Sequence, residues 1–316
     1  MNNPPSPSLV SPSSLSNSLI GTLLYLTAFA ILPAMDSIAK HLGNHLNLVE
    51  ITWGRYFFHF LFLAPVVLYR YGLQALKPEQ FFLQIVRGGL LLTATLFFFG
   101  AIIVMPISDA LAIAFIAPLL VTIMSPFLLG ERIGVYRIVA VLVGFVGTLI
   151  IIRPDMRTGT DILNVGSLMA LGTGTAYAFY SIATRKLSGT APPIVTLTFT
   201  ALLGTVVMSA AMPFYWSPLT LSDIGWMIGM GMFGALGHYF FIKAYDYAEA
   251  SYLAPFSYSE IVTATLFGLI FFGDFPDQWT WVGTSIVIGS GIFISMRERY
   301  RSRRALDAAS DIAPNL

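Results

Sequence analysis

The feature that most constrains this chain is a succession of ten apolar runs, each about long enough to cross a bilayer and separated by short connections. Crossing takes roughly 20 apolar residues at 1.5 Å each. A backbone inside lipid must also satisfy its own hydrogen bonds, so helices are the structure these runs allow. Their limits fall near 18–39, 49–69, 84–105, 108–129, 134–152, 164–184, 192–213, 223–245, 249–272 and 279–296. Charged residues make up 10% of the chain, against about 25% in soluble domains. The expected fold is therefore an all-α membrane protein with ten transmembrane helices, and the short connections leave no room for a soluble catalytic domain.

Residues 1–17 are rich in Pro, Ser and Asn, lack periodicity and read as a disordered tail. No basic segment precedes the first run, which is long enough to span, so a cleaved signal peptide is not expected. The distribution of Lys and Arg sets the direction, because cytoplasmic loops of bacterial inner-membrane proteins carry the excess. With the N-terminus inside, Arg70, Lys77, Arg87, Arg132, Arg137, Arg185, Lys186, Lys243 and the arginines of the tail after 296 fall on the cytoplasmic side. Only Lys40, Arg153 and Arg157 remain outside, with Arg55 within a run. An even number of crossings returns the C-terminus, a basic tail over 297–316, to the cytoplasm.

Several function classes drop out. A net charge of +1 gives no hold on nucleic acid, and the absence of cysteine removes disulfides, iron–sulfur clusters and thiol catalysis. His41 and His45 are four apart but lack a third ligand, so they read as ordinary loop residues and no metal or other cofactor is expected. Neither a Walker A loop nor an H-E-x-x-H motif is present. A secondary carrier for a small molecule is the leading reading; a channel and a membrane-embedded enzyme are the alternatives.

Laying the second half on the first at an offset of 143 to 144 brings several features into register. Ser37-Ile38-Ala39 falls on Ser181-Ile182-Ala183, Thr52 on Thr196, Gly88 on Gly231, Phe97-Phe98 on Phe240-Phe241, Ser108 on Ser251, and Gly130-Glu131 on Gly273-Asp274. Halves of five helices each must insert with opposite orientations, so the expectation is two inverted five-helix repeats, 18–152 and 164–296, joined by an outer linker over 153–163. Inverted repeats around a midplane site are the architecture of secondary transporters.

The stretches PISDALAIAFIAPLLVTIMSPFLLGERI and EASYLAPFSYSEIVTATLFGLIFFGD, the opening MDSIAKHL and the following WGRYFFHFLFLAP give the chain a family resemblance. It resembles the EamA-type transporters of the drug/metabolite transporter superfamily over nearly its whole length after the tail. The resemblance implies a central cavity lined largely by the third, fourth, eighth and ninth helices. It implies a small-molecule substrate, of which amino acids, vitamins, nucleosides, S-adenosylmethionine and drugs are examples, and it leaves the direction of transport open.

Polar residues within the runs are the candidate site, since a charge at the bilayer centre costs at least about 2.5 kcal/mol on insertion scales. Glu260, mid-run, is either a carboxylate that binds a substrate ammonium or exchanges a proton, or a structural acid paired with Arg or Tyr. His238 is either a proton relay with Glu260 or a histidine bonded across a helix interface. Arg55 and His59, four apart on one face, would hold a substrate carboxylate or phosphate; the alternative is an arginine reaching to the outer interface. Asp36 and Lys40, also four apart, form either an outer gate or a plain intrahelical pair. Asp109 reads as a helix cap, and Glu131, Arg132 and Asp274 as turn residues. Phe115, Tyr177, Tyr180, Tyr239 and Tyr258 are candidate stacking residues, Tyr258 foremost because it lies two residues before Glu260. Pro118 and Pro255 interrupt the fourth and ninth runs, as kinks or hinges. Gly225 and Gly229 form a GxxxG pair that would serve either a homodimer or packing within the chain.

Overall fold

The computed structural model describes residues 12–73, 80–104, 107–131, 133–152 and 165–272, together with scattered positions between 278 and 300. Lys77, Arg132, the 153–163 linker, Asp274, much of the tenth run and nearly all of the C-terminal tail lie outside the described residues, as does the side chain of Asp109. Among the described residues every regular element is helical: α1 (Pro12–Leu42), α2 (Leu48–Tyr71), α3 (Phe81–Val104), α4 (Ile107–Ala114), α5 (Ile116–Leu129), α6 (Val135–Ile152), α7 (Val165–Leu187), α8 (Pro193–Ala211), α9 (Leu221–Ala244), α10 (Ala250–Leu253) and α11 (Glu260–Phe272). Helix α1 begins at Pro12, inside the stretch read as a tail. Among the described residues five helical stretches are long and apolar enough to cross a membrane: Asn17–Leu42, Leu48–Tyr71, Phe81–Val104, Pro193–Phe214 and Ala250–Phe271. Leu23, Phe82, Phe127, Val206 and Ile270 are exposed on the outside of the bundle. Apolar side chains facing outward on this scale suit a lipid solvent rather than water.

Local chemistry sets the helix ends. Asn47 caps α2 by accepting from the amides of Val49 and Glu50, and Glu50 reaches back to the Asn47 amide. Thr220 and Asp223 repeat this reciprocal cap on α9. Each capping box satisfies amides that a helix start leaves without a partner. The same side chains tie neighbours together at one end of the bundle. Asn47 donates to the Tyr215 carbonyl at 2.6 Å, Glu50 accepts from the Ser217 amide, and His45 meets Asp223 at 2.8 Å.

The opposite end, where α1 starts, is closed by charge. Both carboxylate oxygens of Glu131 accept from the amides of Ala250 and Ser251 at 3.0 Å, so this acid caps α10 from 119 residues away. Arg185 lies 3.6 Å from Glu131 and donates to the Tyr245 carbonyl, while Arg137 pairs with Glu249 at 2.5 Å. A carboxylate on a helix N-terminus is favoured by the unsatisfied N–H groups and the helix dipole together. The turn residue expected at Glu131 thus latches one chain segment to another.

Close crossings occur where glycine removes a side chain. A Cβ on Gly231 would sit 2.5 Å from Phe58 and 2.8 Å from the His59 amide nitrogen, and one on Gly204 would collide with the Tyr56 ring. Among the described residues Gly225 has nothing within 4 Å and Gly229 only Ile38, so the GxxxG pair makes no close crossing with them.

Two of the sequence runs are broken rather than continuous. The fourth run becomes α4 and α5, parted at Phe115. Pro118 has no N–H for the Ala114 carbonyl, and its ring would crowd that oxygen in an unbroken helix. The freed carbonyl points at Gly174 of α7, where a Cβ would lie 2.6 Å away. In the ninth run α10 gives way to a tighter 3₁₀ stretch, Ala254–Ser259, with Pro255 at its start, before α11 resumes at Glu260. The two breaks meet: the rings of Phe115 and Tyr258 lie 5.4 Å apart, and the Tyr258 hydroxyl donates to the Phe115 carbonyl at 3.5 Å.

Candidate functional site

A cavity lies where these breaks meet α1, α2, α3, α7 and α9. Its polar wall groups are Asp36, Arg55, Thr95, Thr173, Tyr177, Ser181, His238, Ser257 and Glu260; rings of Tyr25, Phe29, Phe98 and Phe115 fill much of the rest. Toward the end where α1 starts, the floor is aromatic. Tyr25 packs on Phe29 at 4.8 Å and Phe241 at 5.4 Å, Phe241 on Tyr245 at 5.0 Å, and Tyr180 stacks on Phe241 at 5.5 Å.

Arg55 is 3% exposed and does not reach to the interface. One terminal nitrogen donates to Thr95, the other lies 2.8 Å from Nε2 of His238, and Nε has no partner. An arginine can only donate, so His238 Nε2 must accept, which places the imidazole proton on Nδ1 and leaves the ring neutral. Nδ1 faces the Tyr180 hydroxyl at 3.3 Å. His238 is therefore joined to Arg55 and Tyr180 and not to Glu260, so the relay considered between His238 and Glu260 has no direct contact. The histidine is engaged across helix interfaces by 183 and 58 residues of intervening chain.

The chain of bonds continues to Arg87, a residue that reads in the sequence as a loop-side cation. It is fully buried between α3, α7 and α8. Nε donates to Thr184 at 2.8 Å, Nη1 to Thr200 at 2.5 Å and Nη2 to Tyr180 at 2.9 Å, and its guanidinium lies 4.7 Å above the Tyr180 ring centre. No carboxylate pairs with it among the described residues. The threonines at 184, 196 and 200 recur at spacings of 12 and 4, a pattern that hints at a polar seam only once their target is known.

Asp36 and Glu260 both line the cavity, and neither carboxylate makes a hydrogen bond or ion pair with another described residue. Lys40 donates to the Ile102 carbonyl at 3.5 Å. Phe115 and Tyr177 line the cavity, as does Pro118; Tyr180, Tyr239, Tyr258, His59 and Pro255 do not. Tyr258, the foremost aromatic expectation, is buried against Phe115 and Gly144. It supports the break in the ninth run. His59 is 1% exposed with both ring nitrogens unpartnered, and Tyr239 is half-buried against Phe240.

The model of the EamA-like transporter family matches residues 19–153 and again 164–296. The chain belongs to that family. Two characterised relatives are each 30% identical: the S-adenosylmethionine uptake transporter of Rickettsia bellii, aligned over 89% of this chain and 94% of that one, and the riboflavin transporter of Vibrio cholerae, over 92% and 98%. Human solute carrier family 35 member G1 is 27% identical over 89% of this chain and 80% of its own length. A crystal structure superposes with a TM-score of 0.75 at 20% identity, covering 88% of this chain and 98% of that protein, and so shares the fold. This member of the family is a multi-pass membrane protein that transports a small metabolite.

Proposed function

We propose that the chain is a secondary carrier that works by alternating access between two inverted five-helix repeats, with ten crossings of a bacterial inner membrane and both termini in the cytoplasm. The observation that carries the reading is the cavity itself. It lies at the meeting of two broken helices, with an aromatic floor and a charged latch at one end. Phe115 and Tyr258, the residues in contact at the breaks, are 143 apart, the same offset that aligns the two halves. The two separate matches of one family model support the same division. Broken helices at a midplane cavity are how such carriers expose backbone groups to a ligand. The relatives bring S-adenosylmethionine and riboflavin to this chain as candidate substrates. In this reading the closed latch makes the present state outward-facing, and Glu260 and Asp36 face the substrate.

The test is counterflow of labelled amino acids, vitamins, nucleosides and S-adenosylmethionine in proteoliposomes, with and without a pH gradient, for the natural protein and Glu260→Gln. Saturable counterflow of at least one compound is the expected result. Flux that rises linearly with concentration and shows no counterflow would replace the carrier with a channel.

A further inference from the structure

The contacts that join the two halves sort by whether the repeat offset of 143 maps them onto themselves. Thr95 and His238 stand at that offset, and Arg55 bridges them, donating to Thr95 with one terminal nitrogen and to His238 Nε2 at 2.8 Å with the other. Phe115 and Tyr258 stand at the same offset and touch directly, through rings 5.4 Å apart and the bond from the Tyr258 hydroxyl to the Phe115 carbonyl. The charged latch is different. Glu131 meets Ala250 and Ser251 across 119 and 120 residues, and Arg137 meets Glu249 across 112. The offset carries each of these contacts to another pair of positions.

The distinction has a physical meaning in an inverted repeat, where the second state of a carrier is the first with the conformations of its two halves exchanged. Exchange swaps the two members of an offset pair, so the distance between them is the same in both states. A contact between residues not related by the offset is under no such constraint. Energetics separate the two sets in the same way. Arg55, Thr95 and His238 are each at most 3% exposed, and buried polar groups stripped of their partners are costly. The latch reaches water: the Arg185 and Glu249 side chains are 28% and 42% exposed, so solvent replaces their bonds when they part. Pro255, near the start of the 3₁₀ stretch, stands between the latched residues of α10 and Tyr258. The break in the ninth run thus lies between a segment suited to move and one suited to stay.

We propose that Arg55, holding Thr95 and His238, and the Phe115–Tyr258 contact form a fulcrum that stays closed through the transport cycle, while the latch of Glu131 and Arg137 opens one end of the bundle about it. This rests on the inverted-repeat carrier reading and adds which contacts persist and which part. Arg55 then keeps its partners and faces the cavity in both states, so a substrate entering from either end meets the same guanidinium.

The chain has no cysteine, so a single one introduced reports on one place. Ala250 is fully buried beside Glu131, and Ala250→Cys is labelled with a membrane-impermeant maleimide in the full-length protein in lipid nanodiscs, where the reagent reaches both ends. Adding Glu131→Gln should raise the labelling rate about tenfold or more, the shift that losing one charge-assisted bond brings. Arg137→Gln, which leaves the helix cap in place, should act in the same direction and serves if Glu131→Gln does not fold; melting curves separate opening from unfolding. Electron cryomicroscopy of the more reactive variant should show the start of α10 parted from residue 131, with Arg55 still bonded to Thr95 and His238 and the rings at 115 and 258 still in contact. An opened end with either of those contacts broken would overturn the fulcrum and leave the carrier standing. Labelling unchanged in the folded variants would overturn the latch. Rapid labelling before the latch is touched, through a passage open at both ends, would sink the carrier reading and the fulcrum with it.

Discussion

Among the described residues two arginines, Arg55 and Arg87, lie buried, and their surroundings differ in kind. Arg87 sits in a closed cradle between α3, α7 and α8, where hydroxyls and a carbonyl meet its N–H groups on every side and the Tyr180 ring lies under its plane. Arg55 stands in the cavity wall with its head gripped by Thr95 and His238 and its Nε unsatisfied. The first arrangement is complete without a ligand and reads as architecture. The second is rigid but incomplete, which is the condition for recognising something else. Tyr180 and His238 connect the two, so one set of bonds both holds α3, α7 and α8 together and aims the cavity's guanidinium.

The contrast can be broken most forcefully at Arg87. Arg87→Ala leaves a large void and several unpartnered oxygens, and should cost roughly 3–5 kcal/mol, seen as a collapse of monodisperse protein and of the melting transition in detergent. If Arg87→Ala melts like the natural protein, the cradle is not architectural. At Arg55 the balance should invert. Arg55→Gln should alter stability by only about 1 kcal/mol while raising the KM for the transported metabolite about tenfold or more. A drop in stability as large as that of Arg87→Ala would show the two arginines to be alike. The bridging hydroxyl sharpens the comparison, because Tyr180→Phe removes a partner of Arg87 while leaving Arg55 its other contacts. It should cost about 1–1.5 kcal/mol in the same melt and shift KM by less than about threefold. The smallest effect belongs at Gly225, which faces open space, against Gly231, which abuts α2. Gly225→Ala should change stability by under about 0.5 kcal/mol, while Gly231→Ala is expected to lower it several times more. If Gly225→Ala also leaves the mass by light scattering unchanged, the GxxxG pair has no part in association.

Much of the site's membership was legible one residue at a time, because a charge inside an apolar run is conspicuous. Asp36, Arg55, His238 and Glu260 stand out in this way, and all four line the cavity. Their pairings were not legible. His238 is 22 residues from Glu260 in sequence yet bonds to Arg55, 183 residues distant. Arg87 was hidden by its place near the start of a run, where an arginine ordinarily faces water; six residues into α3 its side chain instead turns into the bundle. Tyr258 misled by adjacency, since two residues along a tight helical turn separate a side chain from its neighbour's face rather than joining them.

The sequence by itself determined the membrane solvent, the apolar helices, the family and the interior charges, because hydropathy, length and local motif are properties of contiguous residues. Only the tertiary structure decided which charges are satisfied and which are left facing a cavity. Helices of similar hydropathy can pack in many registers, and a hydrogen bond between them depends on distances of about 3 Å that no spacing along one chain encodes.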